Sequence, residues 1–143
     1  MVDFNSEEKQ TLSFLTNSGE VPTTSSLNWG QREHRDPNQA YIPLPAKVSK
    51  TGFFPLNKRY FTVVADDGEC FIMRVEQAGN KAITTPSDNS EIGRYFRNRL
   101  GIHEGEKVIK EHFEKYGRSD VTFTKLDDEH FLMDFSVARS EME

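Results

Sequence analysis

The chain has 143 residues, a length that favours one domain with a single hydrophobic core. Its only cysteine, Cys70, excludes an intrachain disulfide and a cysteine-based zinc cluster, which favours a reducing compartment. No apolar run approaches the length of a membrane span, and the first residues lack the basic and apolar regions of a signal peptide. We therefore expect a cytoplasmic protein that makes no membrane contact.

The net charge of −5 argues against a nucleic-acid ligand, but the basic residues are concentrated in two segments. Residues 25–60 have a net charge of +4 and residues 79–101 a net charge of +2, so the rest of the chain carries −11. Attraction of a polyanion depends on the local potential, and such segregation favours a polyanion-binding face. Chance clustering on an ordinary charged surface is the alternative.

The first half of the chain predicts short strands separated by turns. Residues 1–10 are polar without a clear period, and we expect a tail or the remnant of a linker. The segment TLSFL at 11–15 favours a short strand, with Leu12 and Phe14 on one face. Pro43 and Pro45 restrict the segment AYIPLP to an edge strand or a strand end. An Asp-Gly turn at Asp67 predicts a hairpin over 60–75.

The second half predicts a strand, two helices and a hairpin. After a strand near 79–85, Asp88 or Asn89 is placed to cap a helix over 91–100 that ends at Gly101. A second helix is expected at 106–116, ended by Gly117, with Ile109, Phe113 and Tyr116 exposed at helical spacing. A turn at residues 127–128 then joins two strands with alternating phenylalanines.

This order of elements predicts an α+β fold, mainly β, built on a small barrel or a strongly curved sheet. A winged helix-turn-helix also fits the last third of the chain. It is disfavoured because about five strands precede the helices, more than that fold uses.

The sequence offers no convincing catalytic site. His34, His103, His112 and His130 form no pair at i, i+4, and both Asp-Asp doublets fall at predicted turns, where aspartate is favoured. Motifs for a nucleophile elbow, a P-loop and a dinucleotide site are all missing from the sequence. We therefore expect no catalysis by this chain, no metal and no cofactor.

The two basic segments contain the side-chain types that read DNA. Arginine binds guanine, asparagine and glutamine bind adenine, and carboxylates accept from cytosine. The base-contacting candidates are Asn28, Gln31, Arg32, Arg35, Asn38, Gln39, Asp88, Asn89, Glu91 and Arg94. The phosphate-contacting candidates are Lys47, Lys50, Lys58, Arg59, Lys81, Ser87, Ser90 and Arg97.

The single tryptophan lies within the polar stretch SSLNWGQREHRDPNQAY at 25–41. We expect Leu27 and Trp29 to anchor this loop against the barrel, with Gly30 permitting a turn. Arg94 and Arg97, three residues apart, share one helix face that we expect to be exposed.

The motifs LNWGQR, PNQAYIPLP, GNKAITT, DNSEIGRYFRNRLG and YGR closely resemble the C-terminal domain of the NgoFVII/NgoAVII-type restriction endonucleases. The similarity runs from about residue 26 to residue 137. It implies a seven-stranded open pseudobarrel of the plant B-three type with two short helices, as one domain over 11–138, followed by a tail at 139–143. It also implies two DNA-gripping arms, the N-arm at 27–39 and the C-arm at 81–97.

The resemblance implies sequence-specific binding of double-stranded DNA in the major groove, as the target-recognition domain of a prokaryotic restriction endonuclease. The implied partners are a phospholipase-D-like nuclease domain of the same parent chain, whose His-x-Lys motif is absent from these residues, and a helicase or ATPase subunit. Two alternatives stay open. One is a protein-interaction module that docks a helicase or nuclease partner, and the other is single-strand binding on an OB-like barrel with Trp29 as a stacking platform.

Overall fold

The structure of the protein is a computed structural model that describes residues 8–137. Its strands are β1 (Lys9–Ser13), β2 (Ile42–Pro43), β3 (Phe61–Ala65), β4 (Cys70–Glu76), β5 (Ala82–Thr84), β6 (Asp120–Asp127) and β7 (His130–Asp134). Its helices are α1 (Ala46–Ser49), α2 (Glu91–Leu100) and α3 (Lys110–Tyr116), and a 3-10 helix spans Ser26–Gln31. The predicted C-terminal tail and residues 1–7 of the predicted N-terminal tail lie outside the described residues.

The seven strands form one sheet in the order β1-β6-β7-β3-β4-β5-β2. Neighbouring strands are antiparallel except β3 and β7, which run parallel. The sheet curls into a nearly closed barrel whose seam lies between the edge strands β1 and β2. The predicted open pseudobarrel, mainly β with short helices, is confirmed, and the winged helix-turn-helix alternative is wrong.

Alternation along β3 and β4 directs apolar side chains, several of them aromatic, into the barrel. On β3, Phe61 and Val63 face the core, and on β4 the core-facing residues are Phe71, Met73 and Val75. Phe54, which precedes β3, stacks on Phe131 of β7 with 5.3 Å between ring centroids. Successive strand side chains point to opposite faces, so the residues between these positions form an outer face.

Both predicted hairpins are confirmed. At the first turn the backbone N–H of Ala65 donates to the carbonyl of Glu69, and Gly68 has a φ of +91°, which suits glycine best. The second hairpin joins β6 to β7 and contains an irregularity between Lys125 and Asp127. The predicted edge strand before Pro45 is β2, which has two residues.

The structure corrects several element boundaries. β1 begins at Lys9, inside the predicted tail, because residues 9–13 pair with β6. α3 begins at Lys110, not near 106, because the preceding loop inserts Val108 into the core. Phe113 is buried and stacks on Phe14 at 5.7 Å, which contradicts its predicted exposure. The predicted helix ends at Gly101 and Gly117 are confirmed, and both glycines have positive φ.

Candidate nucleic-acid interface

Asn28 holds the start of the N-arm to the loop before α3. Its side chain is completely buried, and its Nδ2 donates to the carbonyls of Pro22 and Val108, each at 2.8 Å. Its Oδ1 accepts from the backbone N–H of Val108, also at 2.8 Å. The prediction that Asn28 faces a DNA groove is therefore wrong, because every polar atom of this amide is used inside the protein.

Arg97 of α2 is the second buried residue beneath the N-arm. We call the contacts around Asn28 and Arg97 the base of the N-arm. Its guanidinium, which has no solvent exposure, donates to the carbonyls of Glu106 at 2.7 Å, Leu27 at 3.0 Å and Gly93 at 3.3 Å. Arg97 thus joins the 3-10 helix, α2 and the loop before α3. It does not lie on an exposed face with Arg94, and its predicted phosphate contact is wrong.

Burial lowers the pKa of Arg97, and the nearby charges of Asp36 and Glu106 oppose this change. Because the pKa of arginine starts far above neutrality, the guanidinium stays protonated. A buried cation that binds three carbonyls is stabilised by oriented dipoles instead of a direct carboxylate partner. The base of the N-arm is consequently held in one geometry before any ligand binds.

Two glycines allow the backbones at this base to approach closely. A Cβ added at Gly30 would collide with the carbonyl of Asp36, and one at Gly93 would collide with the carbonyl of Asn38. Gly30 has no positive φ, so its role is close approach and not the predicted permissive turn. The N–H of Ala40 also donates to the carbonyl of Asn89 at 3.1 Å, so the two predicted arms share one base.

Trp29 lies at the surface of this base with an arginine stacked on it. The ring is half-buried, meets Tyr41 edge-on at 5.7 Å and carries the guanidinium of Arg35 at 4.3 Å from its centroid. Arg35 also donates to the side chain of Gln39 at 2.9 Å. Leu27, rather than Trp29, is the fully buried apolar anchor, and Trp29 supports an exposed cation.

Of the other N-arm candidates, Gln31 and Asn38 form hydrogen bonds within the protein, whereas Arg32 is exposed to solvent. Gln31 donates to the carbonyls of Pro37 and Gly105, and the Oδ1 of Asn38 accepts from the N–H of Gly105, so both side chains shape the loop. Arg32 is exposed, and its Nε donates to the carbonyl of Thr24 at 2.9 Å. Arg32 therefore retains its Nη groups for an external ligand.

The C-arm candidates at the start of α2 are largely engaged with one another. Arg94 pairs with Asp88 at 2.7 Å, and this hydrogen bond lowers the pKa of Asp88. Burial raises the pKa of Glu91, and the charge of Asp88 raises it further. Ser90 is buried, whereas Ser87 is exposed. The Oδ1 of Asn89 is buried and has no hydrogen-bond partner within residues 8–137.

The basic candidates before β3 and at β5 are free. Lys47, Lys50, Lys58, Arg59 and Lys81 are all exposed, and none lies within 4.0 Å of a carboxylate in the described part of the chain. The N–H of Leu44 donates to the carbonyl of Lys81, so Lys81 lies beside the segment that leads into α1. These five cations add to the exposed positive charge of Arg32 and Arg35.

The sequence interpretation missed three side chains on the outer face of the sheet. Arg74 of β4 pairs with Glu76 at 2.8 Å and lies over the exposed ring of Tyr60 at 5.3 Å. The alternation in ECFIMRVE places Arg74 and Glu76 opposite the core-facing residues and could have identified them. Arg74 and Glu76 were overlooked because they lie between the two basic segments.

The chain combines an open seven-stranded pseudobarrel with a loop that displays exposed cations above a buried, hydrogen-bonded base, an arrangement suited to a polyanion. Residues 2–127 match the family model described as the NgoFVII C-terminal B3-like DNA-binding domain, and the chain belongs to this family. The protein is thus a B3-like DNA-binding domain, and DNA is its partner.

A solved structure of a hypothetical Arabidopsis thaliana protein is similar with 13% sequence identity and a TM-score of 0.43, over 93% of this chain and 92% of that chain. No curated protein gives a significant match. Within residues 8–137 no helix is long and apolar enough to cross a membrane, and no three potential metal ligands cluster together.

Proposed function

We propose that this domain binds a specific double-stranded DNA sequence in the major groove through its N-arm and C-arm. The observation that carries the proposal is the buried, hydrogen-bonded base of the N-arm, above which Arg35 lies on Trp29 and Arg32 is exposed. A preorganised cation loses little freedom on binding, and an arginine fork matches the acceptors of guanine.

The proposed contacts come from candidates whose side chains are exposed or partly exposed. Arg32, Arg35 and Gln39 read bases from the N-arm, and the exposed lysines with Arg59 contact phosphates. Asp88, Asn89, Glu91 and Arg94 contribute from the C-arm, where Arg94 has to exchange its pair with Asp88 for a base edge. The mixture of arginines and carboxylates favours a target rich in G·C pairs.

The parent protein in this proposal is a prokaryotic, cytoplasmic restriction endonuclease to which the domain supplies target recognition. The support is the family, whose description refers to the C-terminal domain of NgoFVII. A nuclease domain of the same parent chain would cut the DNA, and a helicase or ATPase subunit would act with it. The chain described here contributes recognition alone.

Selection of bound duplexes from a random pool tests the proposal directly. An enriched sequence is expected, and Arg32→Ala should cost about 1–3 kcal/mol while relaxing one position of that sequence. Lys50→Ala should instead weaken binding to all sequences alike, since a phosphate contact carries no sequence information. Equal losses on selected and random duplexes for every arm variant would contradict base readout by the arms.

Two measurements separate the alternatives. Phosphate neutralisation makes affinity fall steeply with salt, so a flat response without duplex binding would indicate a protein-interaction module. Competition between duplex and single strands tests the stacking platform, for which one face of Trp29 is already covered by Arg35. Preference for single strands would contradict the proposal.

A further inference from the structure

An ion pair on the outer face of β4 lies outside both arms. Arg74 and Glu76 point away from the core because they alternate with Met73 and Val75. Their side chains are partly accessible, with 22% and 25% of their surfaces exposed, and the Nη2 of Arg74 lies 2.8 Å from the Oε2 of Glu76. The pair is therefore ordered, and an external ligand can still reach it.

Tyr60, which precedes β3, and Thr84 of β5 fix the geometry of this pair. The Nη1 of Arg74 donates to the hydroxyl of Tyr60 at 3.2 Å, and the Oε1 of Glu76 accepts from the hydroxyl of Thr84 at 2.5 Å. The Nε of Arg74 is buried and has no hydrogen-bond partner among the described residues. A guanidinium has more N–H groups than these contacts use, so hydrogen-bonding capacity remains.

The alternation of side chains places Arg74 on the same outer face as Tyr41, the residue before the buried Ile42. Arg74 is directly paired with Thr84 across β4 and β5, and β5 is paired with β2. Tyr41 precedes β2 and contacts the ring of Trp29, and Arg35 lies over that same ring. Two strand spacings, about 10 Å in total, separate β4 from β2. At this spacing, a duplex bound by the N-arm would also reach Arg74 and Glu76.

The chemistry of the pair matches both halves of one base pair. Arginine donates to the O6 and N7 of guanine, and a carboxylate accepts from the N4 amino group of cytosine. We propose that Arg74 and Glu76 together read one G·C pair in the major groove, an assignment that rests on the proposed function. A phosphate is the poorer ligand here, because the adjacent carboxylate repels an anion.

Glu76 is suited to this role because it is ionised near neutral pH. Burial raises the pKa of Glu76, but hydrogen bonds from Thr84 and Arg74 and the nearby charge of Lys58 outweigh burial and lower it. The carboxylate can thus accept from the cytosine amino group while it keeps Arg74 oriented.

Selection of duplexes from a random pool with the unsubstituted domain, Glu76→Gln and Arg74→Lys tests the assignment. Each variant is expected to lose preference for G·C at the same single position by roughly 10-fold, within the discrimination expected of a good base contact. Lys110→Gln on α3 removes an exposed charge outside both arms and should leave every position unchanged. Thermal melting of each variant shows whether it is folded. Glu76→Gln keeps the shape of the side chain, so the assignment can still be tested if the Arg74 variant does not fold.

Three outcomes would overturn the assignment. Uniform weakening on all sequences would identify a phosphate contact, and a site left unchanged by both variants would mean that the pair does not touch DNA. In either case the proposed function stands. If the unsubstituted domain enriches no sequence at all, the proposed function fails and the assignment fails with it.

Discussion

The two basic segments differ in how their cations are used. In residues 25–60 none of the six lysines and arginines is ion-paired within the described chain, and Arg35 is displayed on a tryptophan. In residues 79–101 Arg97 is buried, Arg94 pairs with Asp88, and Arg99 pairs with Asp66 at 2.8 Å. Only the first segment therefore provides much free positive charge.

This difference shows that a count of charges along a chain does not give the potential at a surface. The second segment forms α2, which packs against the barrel on one face, so its arginines meet carbonyls and carboxylates of other elements. The first segment is mainly loop, with a 3-10 helix, the two-residue strand β2 and the short helix α1, and its long side chains reach solvent. We infer that the first segment supplies most of the electrostatic attraction to DNA.

The largest effect is expected from Arg97→Met in the second segment. The substitution leaves the carbonyls of Leu27 and Glu106 without their donor and should lower the free energy of unfolding by about 3 kcal/mol. Urea denaturation followed by the fluorescence of Trp29, the only tryptophan, measures it.

Arg94→Met on the same helix is the matched control. Its ion pair with Asp88 is partly exposed, and the loss should stay below about 1 kcal/mol. Equal destabilisation by the two substitutions would contradict the distinction between a buried and a surface arginine.

The next largest effect is expected from Asn28→Ala, which tests the base of the first segment. Three hydrogen bonds disappear, and the N–H and carbonyl of Val108 lose their side-chain partner, so stability should fall by about 2 kcal/mol. Urea denaturation gives the stability, and fluorescence anisotropy with the selected duplex gives the affinity. Affinity is expected to fall as well, because the arm loses its fixed geometry. A variant with reduced affinity and unchanged stability would instead place Asn28 against DNA.

Asn28 and Arg97 also show which contacts the sequence cannot predict. The hairpin at Asp67-Gly68, the strands with alternating phenylalanines and the end of α2 at Gly101 depend on neighbours in sequence, and local patterns predict them. Asn28 contacts Val108 across 80 residues, and Arg97 contacts Leu27 across 70. No local pattern encodes such contacts, so polar residues in a loop or on a helix look exposed until the fold brings their partners together.

A smaller effect is expected for the stack of Arg35 on Trp29. Because the ring orients the cation, Trp29→Ala and Arg35→Ala should be coupled in DNA affinity by about 1 kcal/mol. A double-mutant cycle measured by fluorescence anisotropy with the selected duplex gives this coupling. Trp29→Ala should also lower the melting temperature, since the ring contacts Tyr41. Additive effects would mean that the two side chains act independently on DNA, and loss of affinity with unchanged melting would mean that the ring itself touches DNA.

The smallest effect, and the most direct comparison of the two segments, is on salt dependence. Lys50→Ala should reduce the slope of log affinity against log salt by about 0.9, because one phosphate contact and its released counterion are lost. Arg94→Ala should change the slope much less, since Asp88 already neutralises this cation and its removal frees that carboxylate. Titrations of one duplex at several salt concentrations compare the two variants. If Arg94→Ala reduced the slope and Lys50→Ala did not, the positive surface would lie on α2, and the free cations of the first segment would face away from DNA.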